Sequence, residues 1–319
     1  MRLTRILFTL CAFAVSASAL AQPFPAKPVT MIVPFPPGGS VDAMARQVAA
    51  GLGQYLGQTV VVDNKVGAGG TVGSGIAARA APDGYTILLG TTSALGVSPA
   101  LYKSVPYDPL KSFTPIVEVT RGPFVLTAKN GLPVHDVKEL VELARKNPGK
   151  LNAGSAGQGS VHHFALEMFK QAAGIDIVHV PYKGGAPAWT ALIAGDIDLL
   201  FDSMPGPLMY PGRVRPLAVA GPHRLPGLPG VPTFAEQGLP AVETLFFWAL
   251  LAPVGTPAEI VAKLNAAAGQ ALRDPVVRAE FAKQSMETSP GTPEDIARHM
   301  AQEIPRWRQV VLKAGLKQE

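Results

Sequence analysis

Short apolar runs bounded by glycine and proline alternate along this chain with stretches whose apolar residues recur every three or four positions. VTMIV (29–33) has the look of a buried strand, and Val41, Met44, Ala45, Val48 and Leu52 after it fall on one helical face. TVVVD (59–63) and YTILLG (85–90) are further short buried strands, followed by SFTPIVEV (112–119) and FVLTA (124–128). Val134, Val137, Leu140, Val141 and Ala144 predict another helix, stopped by Asn147-Pro148-Gly149. IVHVPY (177–182), IDLLF (197–201) and RPLAVAG (215–221) predict strands separated by helical stretches, and the tail predicts helices near 257–272, 275–284 and 293–314. Such alternation implies an α/β fold whose parallel sheets are covered on both faces.

Two long extended stretches, 120–128 and 242–253, lack any intervening helical pattern. If the chain crosses between lobes at both, the last segment returns to complete the first lobe. The predicted division is 22–123 with 244–319 as lobe 1 and 124–243 as lobe 2. The Pro/Gly-rich segment 222–240 is expected to wrap the surface before that return.

The first 21 residues are set apart from this pattern. Arg2 and Arg5 precede an apolar run, Ile6 to Val15, and Ala19-Leu20-Ala21 supplies a small-residue cleavage site, so 1–21 is predicted to be a secretory signal peptide. The single cysteine, Cys11, lies inside it, so the mature chain is expected to carry no disulfide or cysteine-based metal site. That suits a bacterial periplasm. About 300 residues remain, enough for two lobes of ~100–200 residues each. The formal charge of +5 is dispersed without a basic stripe, which argues against nucleic acid.

The candidate chemistry sits in the loops that follow strands. Pro36-Pro37-Gly38-Gly39-Ser40 opens the first helix, with Asp42 in its first turn. Thr91, Thr92 and Ser93 follow the third strand. AGSAGQGSVHH (153–163) and PYKGGAPA (181–188) each lead into a helix, and Asp202-Ser203 closes the IDLLF strand. In parallel α/β sheets ligands sit beyond the carboxyl ends of the strands. Helix N-termini there attract an anion by roughly 0.3–1 kcal/mol each. Hydroxyls add neutral donors, so a carboxylate is held without burying an arginine. Gly, Ser, Thr and Pro are also ordinary capping and loop residues, and capping alone accounts for any one loop.

Enzyme signatures are incomplete. AGSAG (153–157) has alanine where a nucleophile elbow has its first glycine, and GAGGTV (67–72) lacks the last glycine of a dinucleotide fingerprint, which leaves it a surface turn. His162 and His163, adjacent on a helix, point in different directions and do not chelate one metal. An esterase-like use of Ser155 or Ser160 with His163 is the competing reading.

VPFPPGGSVDAMAR, VVVDNKVGAGGTVG, AAPDGYTILLGTT, YDPLKSFTPI, NPGKLNAGSAGQGS, HVPYKGGAPA, DLLFDS and LLAPVGTP, in that order over nearly all of the mature chain, resemble the solute receptors of tripartite tricarboxylate transporters, the Bug family. The resemblance implies a type II periplasmic binding protein: two α/β lobes joined by a two-strand hinge, closing on a small carboxylate, with no catalysis and no cofactor. It further implies a monomer that delivers its acid to a two-component membrane permease, or an orphan sensor without one. Carried onto this chain, the acid-gripping positions are Gly38, Gly39, Ser40, Asp42, Thr91, Thr92 and Ser93 from lobe 1. Lobe 2 adds Ser155, Ser160, His163, Tyr182, Gly184, Ala186 and Asp202. Three departures stand out: His162 where serine is usual, Ser203 where asparagine is usual, and Phe246-Phe247 in place of a common Ser-Trp pair. The last makes an aromatic or apolar-tailed acid a better candidate than citrate, unless both rings are buried hinge core.

Overall fold

The computed structural model describes residues 23–203, 208, 210–284 and 286–313; the predicted signal segment lies outside them. From the N-terminus the elements run β1 (Val29–Val33), α1 (Ser40–Leu56), β2 (Val60–Asn64), α2 (Thr71–Ala78), β3 (Thr86–Thr91), α3 (Ser98–Leu101) and β4 (Phe113–Lys129). Next come α4 (Val137–Lys146), β5 (Asn152–Ser155), α5 (Val161–Ala173), β6 (Val178–Pro181), α6 (Gly185–Ala194), β7 (Leu199–Asp202) and β8 (Val214–Ala220). The chain finishes with β9 (Leu245–Pro253), α7 (Ala258–Arg273), α8 (Pro275–Ala282), β10 (Glu287–Thr288) and α9 (Pro293–Lys313).

The strands form two sheets that share β4. In the first, β1 lies parallel between β2 and β3, β3 pairs antiparallel with β9, and β9 pairs antiparallel with residues 113–123 of β4. In the second, residues 124–129 of β4 lie antiparallel between β7 and β8, and β7, β5 and β6 continue in parallel. All-parallel sheets were expected; β4 and β9 break that rule because they carry the chain between the sheets in opposite directions.

The runs 112–119 and 124–128, with the extended stretch 120–128 that links them, form one strand, β4, of 17 residues. Gly122 and Pro123 stay in line opposite Phe246 and Leu245. Proline removes a ladder donor, which is tolerated here, where one sheet gives way to the other. The second passage is fastened beside it: Phe124 N–H donates to Thr244 O at 3.1 Å, and Thr244 N–H donates to Ala220 O at 2.9 Å.

Helix α1 forms where the apolar period predicts it. Val41, Met44, Ala45, Val48 and Leu52 are buried, and Gly57 ends the helix with φ at 69°. Helix α4 begins at Val137, after Val134, because Asp136 caps it by accepting from Glu139 N–H at 2.7 Å. Besides the short α3 and β10, two elements have no counterpart in the sequence pattern. Strand β5 is Asn-Ala-Gly-Ser, without a β-branched residue, and exists through its ladders to β6 and β7. Helix α2 grows out of the glycine-rich stretch 67–70, where Gly67, Gly69 and Gly70 all take positive φ.

Candidate functional site

The loop from β1 to α1 is shaped by Gly38, at φ +83°, and braced by Asp42. Asp42 is 3% exposed. It accepts from Gly38 N–H at 3.0 Å, from Arg46 Nε and Nη2 at 3.0 Å each, and from Asn64 Nδ2 at 2.9 Å. Burial pushes its carboxyl up, but these donors more than offset that and hold it below its ordinary range. Ser40 and Val41, in the first turn of α1, face the space between the sheets.

Thr91, Thr92 and Ser93 follow β3. Thr92 Oγ1 accepts from Phe247 N–H at 2.7 Å and donates to Phe247 O at 3.1 Å, which ties the loop to the returning strand β9. Thr91 Oγ1 accepts from Ala94 N–H at 3.4 Å. Ser93 Oγ accepts from Val161 N–H at 3.2 Å, a bond that crosses from the first sheet's side to α5.

Helix α5 carries its own cap. Ser160 Oγ accepts from His163 N–H at 3.4 Å and donates to Gly157 O at 2.7 Å. Behind the loop, Ser155 Oγ shares a 2.6 Å hydrogen bond with His179 Nε2, and the His163 ring stacks on His179 with centroids 4.0 Å apart. Burial lowers both histidines to about 4; Lys170 adds to this at His163, and His163 with Lys170 at His179, while Glu167 pulls His179 the other way. Both rings are neutral at neutral pH. His162, one position earlier, points to the opposite side, into the cleft.

The cleft holds two spaces that share the wall residue Phe35. The deeper one, about 20 Å³, is walled by Ser40, Val41, Thr91, Thr92 and Ser93 from one side and by Val161, His162 and Ser203 from the other. Phe35, Phe124, Phe246 and Trp248 complete it. The mouth, about 420 Å³, is bordered by Pro34–Pro36, residues 66–70, Tyr102, residues 156–158 and residues 182–184. Gly184, at φ +124°, has no room for a Cβ because Pro36 would lie 2.3 Å from it, while Gly39 is in ordinary contact range of Ala186: a Cβ on Gly39 would lie 3.7 Å from Ala186 N.

Of the positions expected to grip an acid, Ser40, Thr91, Thr92 and Ser93 meet at the deep cavity, while Tyr182 and Gly184 stand at the mouth. Gly38 and Gly39 pack against Ala186 where the two sides touch. Asp42, Ser155, Ser160 and His163 line neither space: their polar atoms are turned to the groups they brace, Asp42 accepting from the loop amide of Gly38. Asp202 is also behind the wall, accepting from Trp189 Nε1 at 2.9 Å and from Ser203 Oγ at 3.2 Å. The serine–histidine pairing expected with His163 is instead Ser155 with His179.

Several wall residues were not anticipated. Residues 67–70 are part of the mouth, not a surface turn: a Cβ on Gly69 would lie 2.8 Å from Ser98 Oγ and 3.5 Å from Gly159 O. Their run of glycines was the available signal. Phe246 faces the deep cavity, whereas Phe247 packs against His299 behind β9, as alternation along a strand requires. His162 was passed over because helix spacing alone does not say which of two adjacent histidines faces inward.

Two α/β lobes joined by paired strands, with strand-end loops and helix N-termini facing each other across a cleft, define a periplasmic-type solute-binding protein. Residues 44–316 match the family described as Tripartite tricarboxylate transporter family receptor, and the chain belongs to that family. It is similar to protein BugT of Bordetella pertussis, 37% identical over 324 residues that cover 99% of each chain. Among solved structures it resembles Rpa4515 of R. palustris with adipate, at 37% identity and TM-score 0.89, covering 93% of this chain and all of that one. It also resembles MatC (Rpa3494) of Rhodopseudomonas palustris with bound malate, at 35% identity and TM-score 0.86, covering 90% of this chain and all of that one.

Proposed function

We propose that this protein is an extracytoplasmic receptor that captures a small organic carboxylate and presents it, as a monomer, to a two-component membrane permease. The observation that carries the reading is the deep cavity. The N-terminal turns of α1 and α5 enter it from opposite sides, hydroxyls surround it, and no Lys or Arg is among the described residues that line it. Helix N-termini and neutral donors favour an anion there without an ion pair that must be desolvated. The adipate and malate held by Rpa4515 and MatC support a carboxylate as the ligand.

A space of about 20 Å³ admits a group the size of one water molecule. An acid therefore enters with the lobes parted, and closing brings Ser40, Thr91 and Ser93 onto its carboxylate. The change of sheet at Phe124, beside the Thr244 passage, supports lobes of 22–123 with 244–319 and of 124–243. The leader-like 1–21 and the family's receptor role support export to the periplasm with cleavage after Ala21. Ser155, fully buried and turned away from the cleft toward His179, supports binding without chemistry.

The test is mass spectrometry of acid extracted from natively purified protein, joined to thermal shifts over a panel of mono-, di- and tricarboxylates. One co-purifying or stabilising carboxylate, released unchanged, is the expected result. Failure of every acid to bind, or turnover of an ester abolished by S155A, overturns the reading.

A further inference from the structure

The deep cavity is lined by a buried imidazole that the fold leaves unused. His162 is 8% exposed, and neither of its ring nitrogens finds a hydrogen-bond partner among the described residues. Its Nε2 lies 3.7 Å from Asp202 Oδ2, beyond hydrogen-bond reach. Burying a polar ring without partners costs stability that no bond within the fold offsets. Its counterpart His163 shows how the same side chain is accommodated when it serves the fold: stacked, bonded to Gly159 N–H and turned from the cavity. His162 instead meets the edge of the aromatic wall, with Phe124 5.0 Å away at 84°. Phe124 meets Phe246 at 5.7 Å, and Phe246 meets Trp248 at 5.2 Å.

We infer that His162 is the specificity-determining residue of the cleft, its imidazole donating to a carboxylate oxygen of an acid whose neighbouring carbons are apolar. This rests on the receptor reading above. Thr91 and Ser93 each accept a backbone N–H already, so each still has its own O–H to donate to the same carboxylate. The carbons next to the carboxylate then pass between Phe35, Phe124, Phe246 and Trp248. A hydroxyl or ammonium on those carbons is stripped of water against aromatic rings, which costs affinity. The ligand class is accordingly an alkyl or aryl carboxylate rather than an α-hydroxy or α-amino acid, with its far end in the mouth near Tyr102, Tyr182 and Lys183.

Isothermal titration of adipate, benzoate and malate into the wild type, H162Q and H162F tests this. Adipate or benzoate binds the wild type at least about 10-fold more tightly than malate. H162F, which fills the space without a donor, weakens that acid roughly 10- to 100-fold. H162Q, which keeps an N–H donor, retains affinity within about fivefold and carries the test if H162F fails to fold. Ligand-free melting temperatures of both variants separate loss of contact from loss of fold. Affinity within threefold of wild type in H162F, equal losses in folded H162Q and H162F, or malate as the tightest ligand overturns the inference alone. A wild type that binds none of the three acids, nor any acid of the wider panel, overturns the receptor reading and this inference together.

Discussion

In lobe 1 the loop that opens α1 is held by an ionised carboxylate; in lobe 2 the loop that opens α5 is held by neutral imidazoles. Asp42 gathers Gly38, Arg46 and Asn64 around one buried carboxyl. Ser155, Ser160, His163 and His179 do the equivalent work around Gly157 and Gly159 with uncharged groups. Both arrangements aim a helix N-terminus at the same space, and both keep their own polar atoms out of it. A cleft wall therefore needs a second layer that fixes backbone donors in place, and the chemistry of that layer sets how each wall responds to acid and to mutation.

The largest effect is expected from D42A. It leaves Arg46, Asn64 and the Gly38 N–H without their shared acceptor, at a cost of about 2–3 kcal/mol given that Arg46 is half exposed. Urea denaturation measures this, and the carboxylate affinity of the variant falls with it because the lobe 1 loop loses its shape. A loss under about 0.5 kcal/mol would mean the lobe 1 loop holds itself.

The second concerns pH and separates the two walls. An unfolded histidine titrates near 6.5, whereas folded His163 and His179 titrate at about 4. Between those values the unfolded chain holds more protons, so stability is complete above about pH 7 and drains as pH falls toward 4. Asp42, already held below 3.8, keeps its contribution through that window and loses it only in stronger acid. Melting curves from pH 7.5 to 4 check this, and the double variant H163Q/H179Q flattens the slope. A slope unchanged in that variant would place the acid sensitivity elsewhere.

The smallest is S93A, which deletes the acceptor of Val161 N–H across the cleft and one hydroxyl donor to the carboxylate, but no bond within either lobe. A cost of about 1 kcal/mol on the closed form predicts roughly fivefold weaker carboxylate binding with an unchanged unfolding midpoint for the ligand-free protein. Small-angle scattering with and without ligand reads the closure directly.

Much of this site was legible in the chain, and the reasons differ by element. An apolar run ending in Pro-Pro-Gly-Gly dictates strand, tight loop and helix start from local chemistry alone, and the hydroxyls after β3 follow the same logic. Strand β5 escapes because Asn-Ala-Gly-Ser has no local preference for extension; only neighbours β6 and β7 make it a strand. The single strand β4 is legible only as two apolar runs and an extended link, because the partners that β9 supplies through Gly-Pro lie far along the chain. Which of His162 and His163 enters the cleft depends on how α5 rolls against β7 and His179, which no helical period contains.

The pairing of β3 with β9 has a consequence for how the molecule is made. Thr91 meets Trp248 across that ladder, so the inner edge of the first sheet stays open until nearly four-fifths of the chain has been synthesised. Lobe 2, a continuous stretch, has all its strands, its share of β4 included, by then. Ribosomes finishing this protein therefore carry a half-built sheet with a bare apolar rim, and chains cut short before residue 245 present that rim permanently to one another.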